Sequence, residues 1–487
     1  MKKFFVMLLM VVLGLASDLS AQVFDLVVAK DGSGDYATIQ EAIDACPDKE
    51  RKAIFVKAGT YAEKIMIGSH SKVSNKLLSI IGEDADKVII AWDDYNGKTI
   101  VYDGRETKSG TPQSATFTVN AVDFYAENLT IQNTYTEKQA VALYNVGDRQ
   151  TFKNCKLIGF QDTHYLKKGR RSYFFDCFIE GGTDYICAGG TAIFDNCTLN
   201  SVKNGSFITA PEDISAITTV GDKKYYYGFI FRDCTLTSDK GATVYLGRPW
   251  QGTSSSIYIS CKMENIKPEG WSTWSGDNHK SSFFAEYGSM DANGGLLDVS
   301  KRVDWSYQLT KEELDTYYAN DKIYSFVSGE YDPFSLVIAP EKPDNLSHQS
   351  DVMQWDAVTG AKGYIIYQND VVLGFSTEAV FRGINTDDFY YTVRSVGANG
   401  NVSPISEAIG NITGIESGSI DKEKIYFRNG VLFIPENERF ELYALNGILL
   451  KKTTSEREID LSSFSKGVYL IKVINNNNVY SDKIYLR

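Results

Sequence analysis

Four short segments, FKNCKL, FFDCFI, FDNCTL and FRDCTL, repeat one pattern: a cysteine that follows Asn or Asp and lies three residues after a phenylalanine. The pairs are Phe152 with Cys155, Phe174 with Cys177, Phe194 with Cys197, and Phe231 with Cys234, at intervals of 22, 20 and 37 residues. FYAENLTI, from Phe124 to Ile131, reads as an earlier copy without the cysteine. Units of this length cannot bury an apolar face alone and must stack. Each is a short β-favouring run with Asn or Asp at its corner, which favours a parallel β-helix over helical repeats. Equivalent side chains of successive coils then lie about 4.8 Å apart. The cysteines form an interior ladder of small apolar residues, neither bridges nor metal ligands.

Such a solenoid has ends to cover. Thr38 to Glu41 has the form of a capping box, and Ile39, Ala42, Ile43 and Cys46 follow with helical spacing, so a short helix is expected to plug the N-terminal end. The repeat fades after Tyr331, and Ala339-Pro340-Glu341-Lys342-Pro343 reads as a linker. Residues 344–412, with Trp355, Tyr364, Tyr367, a Tyr390-Tyr391-Thr392-Val393 strand and Gly400 to Ser403, resemble a fibronectin type III module. Residues 416–487, with Tyr443, Asn446-Gly447, Leu461, Lys466 to Tyr469 and Lys472-Val473, resemble the C-terminal sorting domain of type IX secretion, which implies that machinery as a partner. At the other end, Lys2 and Lys3 precede an apolar run from Phe4 to Leu15, so residues 1–21 read as a signal peptide and the protein as secreted or cell-surface.

Composition narrows the partners. The 487 residues are 43% apolar and 23% charged, which excludes global disorder. A net charge of -12 leaves no basic footprint for nucleic acid or anionic lipid, and no stretch reaches membrane-spanning length. The chain is expected to act as a monomer. Four scattered histidines (70, 164, 279 and 348) predict neither a metal site nor a cofactor, and a G-x-S-x-G elbow is absent.

Carboxylates remain. Gln139, Gln161 with Asp162, and Asp184 recur at the solenoid period: Gln139 to Gln161 and Asp162 to Asp184 both span 22 residues, the interval from Cys155 to Cys177. One coil per interval puts these side chains on neighbouring rungs of one face. Two carboxylates that close split their pKa values, one serving as acid and the other as nucleophile. On spacing alone, a polar ladder without chemistry is an equal reading.

The segments Gln139 to Leu143, Gly159 to Thr163, Gly181 to Asp184 and Leu246-Gly247-Arg248-Pro249-Trp250, with Asp31 to Tyr36 and Ala285-Glu286-Tyr287, resemble the pectin methylesterase family over roughly residues 26–332. The resemblance implies a right-handed parallel β-helix over 22–335 and methyl-esterified pectin as substrate, while the two segments after it read as small β-sandwich-like domains. It also implies Asp184 as nucleophile, Asp162 as general acid and base, and Gln139 and Gln161 as oxyanion donors. Arg248 would hold Asp184 ionised, Trp250 and Phe160 would face the sugar, and Thr111 would contact substrate. Trp271 and Trp274 would line the same cleft or serve packing.

The chain departs from the family pattern at Tyr185, Cys187 and Ala188, and at His164 after Gln-Asp-Thr. His164 is expected to tune the acid, touch substrate or face solvent. Other parallel β-helices are lyases or polygalacturonases, so pectate or pectin lyase is the alternative reaction, and a non-catalytic carbohydrate-binding solenoid the alternative role. The acidic surface predicts a preference for highly methylated pectin over polyanionic pectate.

Overall fold

The computed structural model describes residues 22–102, 104–324, 331–411 and the strands between 426 and 486; the expected signal peptide, 1–21, lies outside them. Three parallel sheets of 11, 8 and 7 strands share the coils of one β-helix. In the 11-stranded sheet, Phe152, Phe174, Phe194 and Phe231 stand in register. Their rings stack at centroid distances of 4.9, 4.9 and 4.7 Å with near-parallel planes. All seven cysteines are free and buried, Cys155, Cys177, Cys197 and Cys234 among them, as the ladder requires. Tyr258 and Cys261 extend both stacks by a further coil, with Tyr258 4.5 Å from Phe231.

The Asn or Asp before each cysteine has a conformational cause. Asn154, Asp176, Asn196 and Asp233 have φ between 47° and 55°, a left-handed corner that Asn and Asp tolerate best. Asn154 donates to Asn128 of the preceding coil at 2.7 Å. The early copy is real but shifted: Ala126, not Phe124, aligns with Phe152.

The helix Ile39–Ala45 caps the N-terminal end, with the Thr38 side chain accepting from the Glu41 amide and Ile39, Ala42 and Ile43 joining the core.

Alternation along the 11-stranded sheet splits its residues between two cores. Ile54, Ile80 and Phe174 point inward, whereas Phe55, Ile81, Tyr125, Tyr173, Ile193 and Ile230 point outward and are still buried. Helices and loops within Leu309–Tyr324 and Tyr331–Val337, together with the hairpin 217–226, cover one half of that outer face. The other half is covered by residues 344–411, which form antiparallel sheets of three and four strands around Met353, Trp355, Tyr364, Ile366 and Val393. Phe375 of this sandwich meets Phe24 and Phe55 edge-on at 5.5 and 5.3 Å. Glu127 lies buried at the seam, accepting from the Val402 amide at 3.3 Å and the Tyr125 hydroxyl at 2.8 Å and pairing with Lys153 at 2.9 Å. The expected linker is pinned: Asn401 and Ser395 donate to the carbonyls of Ile338 and Glu341. A second pair of antiparallel sheets, of three and four strands, closes the chain around Leu432, Phe440, Leu442 and Ile471.

Candidate active site

The seven-stranded sheet carries the polar cluster. Strands His164–Leu166 and Ile186–Ala188 pair with His164 opposite Ile186, which sets Asp162 and Asp184 at equivalent places one coil apart. Gln139, Gln161 and Thr183 are linked by successive parallel bridges just before these strands. Asp162 and Asp184 both adopt left-handed backbone, with φ of 64° and 49°. The turn therefore lifts each carboxylate from the sheet onto its outer side.

Arg248 follows strand Tyr245–Gly247 and grips Asp184 with two hydrogen bonds, Nε to Oδ1 at 3.0 Å and Nη2 to Oδ2 at 2.6 Å. Its guanidinium lies 3.9 Å from the ring centroids of both Phe207 and Trp274, so flat apolar faces hold the fork in plane. Gln139, Gln161, Asp162, Asp184, Trp250 and Trp274 line a pocket of about 90 Å³, completed by Cys187 and Ala210, neighbours in register. A wider depression of about 440 Å³ near Asn204 and Thr243 has one carboxylate in its lining, Asp239.

The two carboxylates are not equivalent. Burial, compounded by the charge of Asp184, pushes the Asp162 carboxyl up to about 7, against the pull of the Gln139 amide and Arg248. Burial raises Asp184 too, but the hydrogen bonds and charge of Arg248 and the charge of Lys203 pull it back. Asp184 therefore ionises first, and its charge keeps the proton on Asp162.

The remaining expected residues lie elsewhere. The Phe160 ring packs on Gly182 beneath the Lys203 ammonium, beside the pocket lining. The Thr111 hydroxyl accepts from Asn96 at 3.1 Å. Trp271 is buried against Tyr258 and Phe284, so of the two tryptophans only Trp274 reaches the pocket. His164 neither touches the pocket nor faces solvent: it points into the solenoid, bonded to Asn145 at 2.7 Å and set against Phe174. Burial lowers its pKa to about 3 and keeps it neutral. Sequence reading missed Phe207 and Asn96; the latter sits in a loop off the repeat, where no periodic signal reaches. Among the described residues no group of three or more His, Cys, Asp or Glu side chains is gathered as metal ligands.

A putative pectinesterase of Arabidopsis thaliana is 33% identical over 303 residues, 61% of this chain and 78% of the relative. Another, from the same plant, is 33% identical over 298 residues, of which this chain spans about half (47%) of the relative. Pectin methylesterases from carrot and from Erwinia chrysanthemi have solved structures that superpose with a TM-score of 0.52 at 27% and 28% identity. They cover 63% and 64% of this chain and 93% and 100% of their own. Residues 422–487 match the family described as a secretion system C-terminal sorting domain, which directs the protein to the cell surface or the medium. The pectinesterase family model matches residues 25–329, a span that includes every pocket residue, and the chain belongs to that family of pectin-de-esterifying enzymes.

Proposed function

We propose that the enzyme hydrolyses methyl esters of polygalacturonate through Asp184 as nucleophile and Asp162 as general acid and base. An Asp184 oxygen attacks the ester carbonyl carbon. Negative charge gathers on the carbonyl oxygen, where the Gln139 and Gln161 amides donate; one such donor is worth roughly 100 to 1,000-fold in rate. As the C–O bond breaks, Asp162 gives its proton to the departing methanol, leaving an anhydride between Asp184 and the substrate carboxyl. The ionised Asp162 then takes a proton from water, which attacks the substrate carbonyl, and Asp184 departs as a carboxylate held by Arg248. Trp250 offers a flat face to the sugar ring.

One observation carries this reading: a carboxylate gripped bidentately by Arg248 faces a second carboxyl held protonated up to about 7. It is supported by a related pectin methylesterase crystallised with a hexasaccharide, 28% identical, with a TM-score of 0.52, covering 64% of this chain and 100% of its own. We keep 344–412 as a fibronectin type III-like module within the same reading. Methanol release from highly methylated pectin tests it. Asp184→Asn should lose at least roughly a thousandfold in kcat. The wild-type kcat/KM should fall about tenfold per pH unit above about 7, where Asp162 loses its proton. Near wild-type release by the variant would overturn the assignment.

A further inference from the structure

Gln139 can serve an oxyanion only if its amide presents nitrogen, not oxygen, to the site. A glutamine amide is nearly symmetric in shape, so packing alone does not choose between the two orientations. Something must accept or donate at the far atom. That partner is Asn96, whose Nδ2 donates to Gln139 Oε1 at 2.6 Å while its backbone amide donates to the Gln139 carbonyl at 2.9 Å. The other Nδ2 hydrogen goes to Thr111 Oγ1 at 3.1 Å, so both hydrogens of the Asn96 amide are engaged. With Oε1 occupied, the Gln139 nitrogen is left for the pocket that Gln139 lines together with Asp162 and Asp184.

Asn96 belongs to a loop held by hydrogen bonds of its own. Gly97 donates to the Ser109 carbonyl, Ser109 donates back to that of Lys98, and Lys98 pairs with Asp93 and Asp94. The loop opens the hairpin formed by Thr99–Tyr102 and Arg105–Lys108. The donor is therefore delivered from outside the coils that carry the carboxylates.

We infer that Asn96, backed by the Thr111 hydroxyl, is a positioning residue that sets the amide polarity of Gln139. The inference rests on the role proposed above for Gln139. Asn96→Asp leaves an acceptor where a donor stood, so the Gln139 amide turns its oxygen toward Asp162. The expected loss in kcat approaches that of Gln139→Ala, on the order of 100-fold, with KM changed by less than about threefold.

The decisive measurement is a double-mutant cycle on the full chain with Asn96→Ala and Gln139→Ala, read as kcat for methanol release. Should Asn96 act through Gln139, the double variant is no slower than Gln139→Ala alone. Losses that multiply, or an Asn96→Ala variant as fast as the wild type beside a slow Gln139→Ala, would overturn the inference and leave the oxyanion role standing. A Gln139→Ala variant with unchanged kcat would instead remove the oxyanion role itself.

Discussion

Two outer faces of one solenoid are built from the same coils and treated in opposite ways. On the 11-stranded sheet the outward side chains are Phe55, Ile81, Tyr125, Tyr173, Ile193 and Ile230, and each is covered by later parts of the chain. On the seven-stranded sheet the outer side bears Asp162, Asp184 and Arg248 around an open pocket. Apolar surface removed from water stabilises by about 25 cal/mol per Å². Buried carboxylates that crowd one another do the reverse, as the raised Asp162 carboxyl records. The covered face supplies the stability that lets the open face keep its strain.

That contrast can be broken from either side. Phe55→Ala removes a ring that meets both Phe24 and Phe375. It should destabilise the full chain by about 3–5 kcal/mol in denaturant unfolding, with kcat within twofold of wild type. A large fall in kcat would mean that the covered face also shapes the site. Asp162→Asn should do the opposite, abolishing turnover while stabilising. Because the folded carboxyl stays protonated up to about 7 and the unfolded one ionises near 4, stability falls as pH rises through that window. The variant should therefore gain roughly 2–4 kcal/mol at pH 8, and the gain should vanish at pH 3. An equal gain at both values would trace it to packing and not to charge.

Arg248→Lys keeps the charge but loses the fork and its sandwich between Phe207 and Trp274. A fall in kcat/KM on the order of 100-fold with an unchanged melting temperature would confine its role to the open face. The smallest effect tests what the faces share. Asn154→Ala, at a left-handed corner bonded to Asn128, should cost about 1–2 kcal/mol and leave kcat alone, and Asn154→Gly should recover part of it.

Much of this was legible because it is periodic. The phenylalanine and cysteine ladders and the paired 22-residue intervals from Gln139 to Gln161 and from Asp162 to Asp184 all follow from one coil length. The failures are aperiodic or degenerate. Tyr258 hid a further coil by replacing the phenylalanine. Phe124 misled by sitting two residues before the aligned position: it shares the interior with Ala126, and a strand covered on both faces has no polar outward side to fix the register. The same degeneracy concealed the docking of 344–411, and it gave no sign that His164 points inward. Asn96 lies 43 residues from its partner on an excursion, where only coordinates reveal it.

The bridges that join Gln139, Gln161 and Thr183 have one more implication. They work as a ruler whose graduations are peptide hydrogen bonds, so the gap between the Asp184 and Asp162 carboxylates is set by backbone pairing and not by whichever side chains fill the interior. Mutational drift can exchange the phenylalanines, cysteines or the inward histidine for other shapes without moving the graduations. An insertion within the coil between Asp162 and Asp184 would instead be absorbed as a bulge or would shift every rung beyond it. The spacing of the two carboxylates is thus insulated from substitution and exposed to insertion.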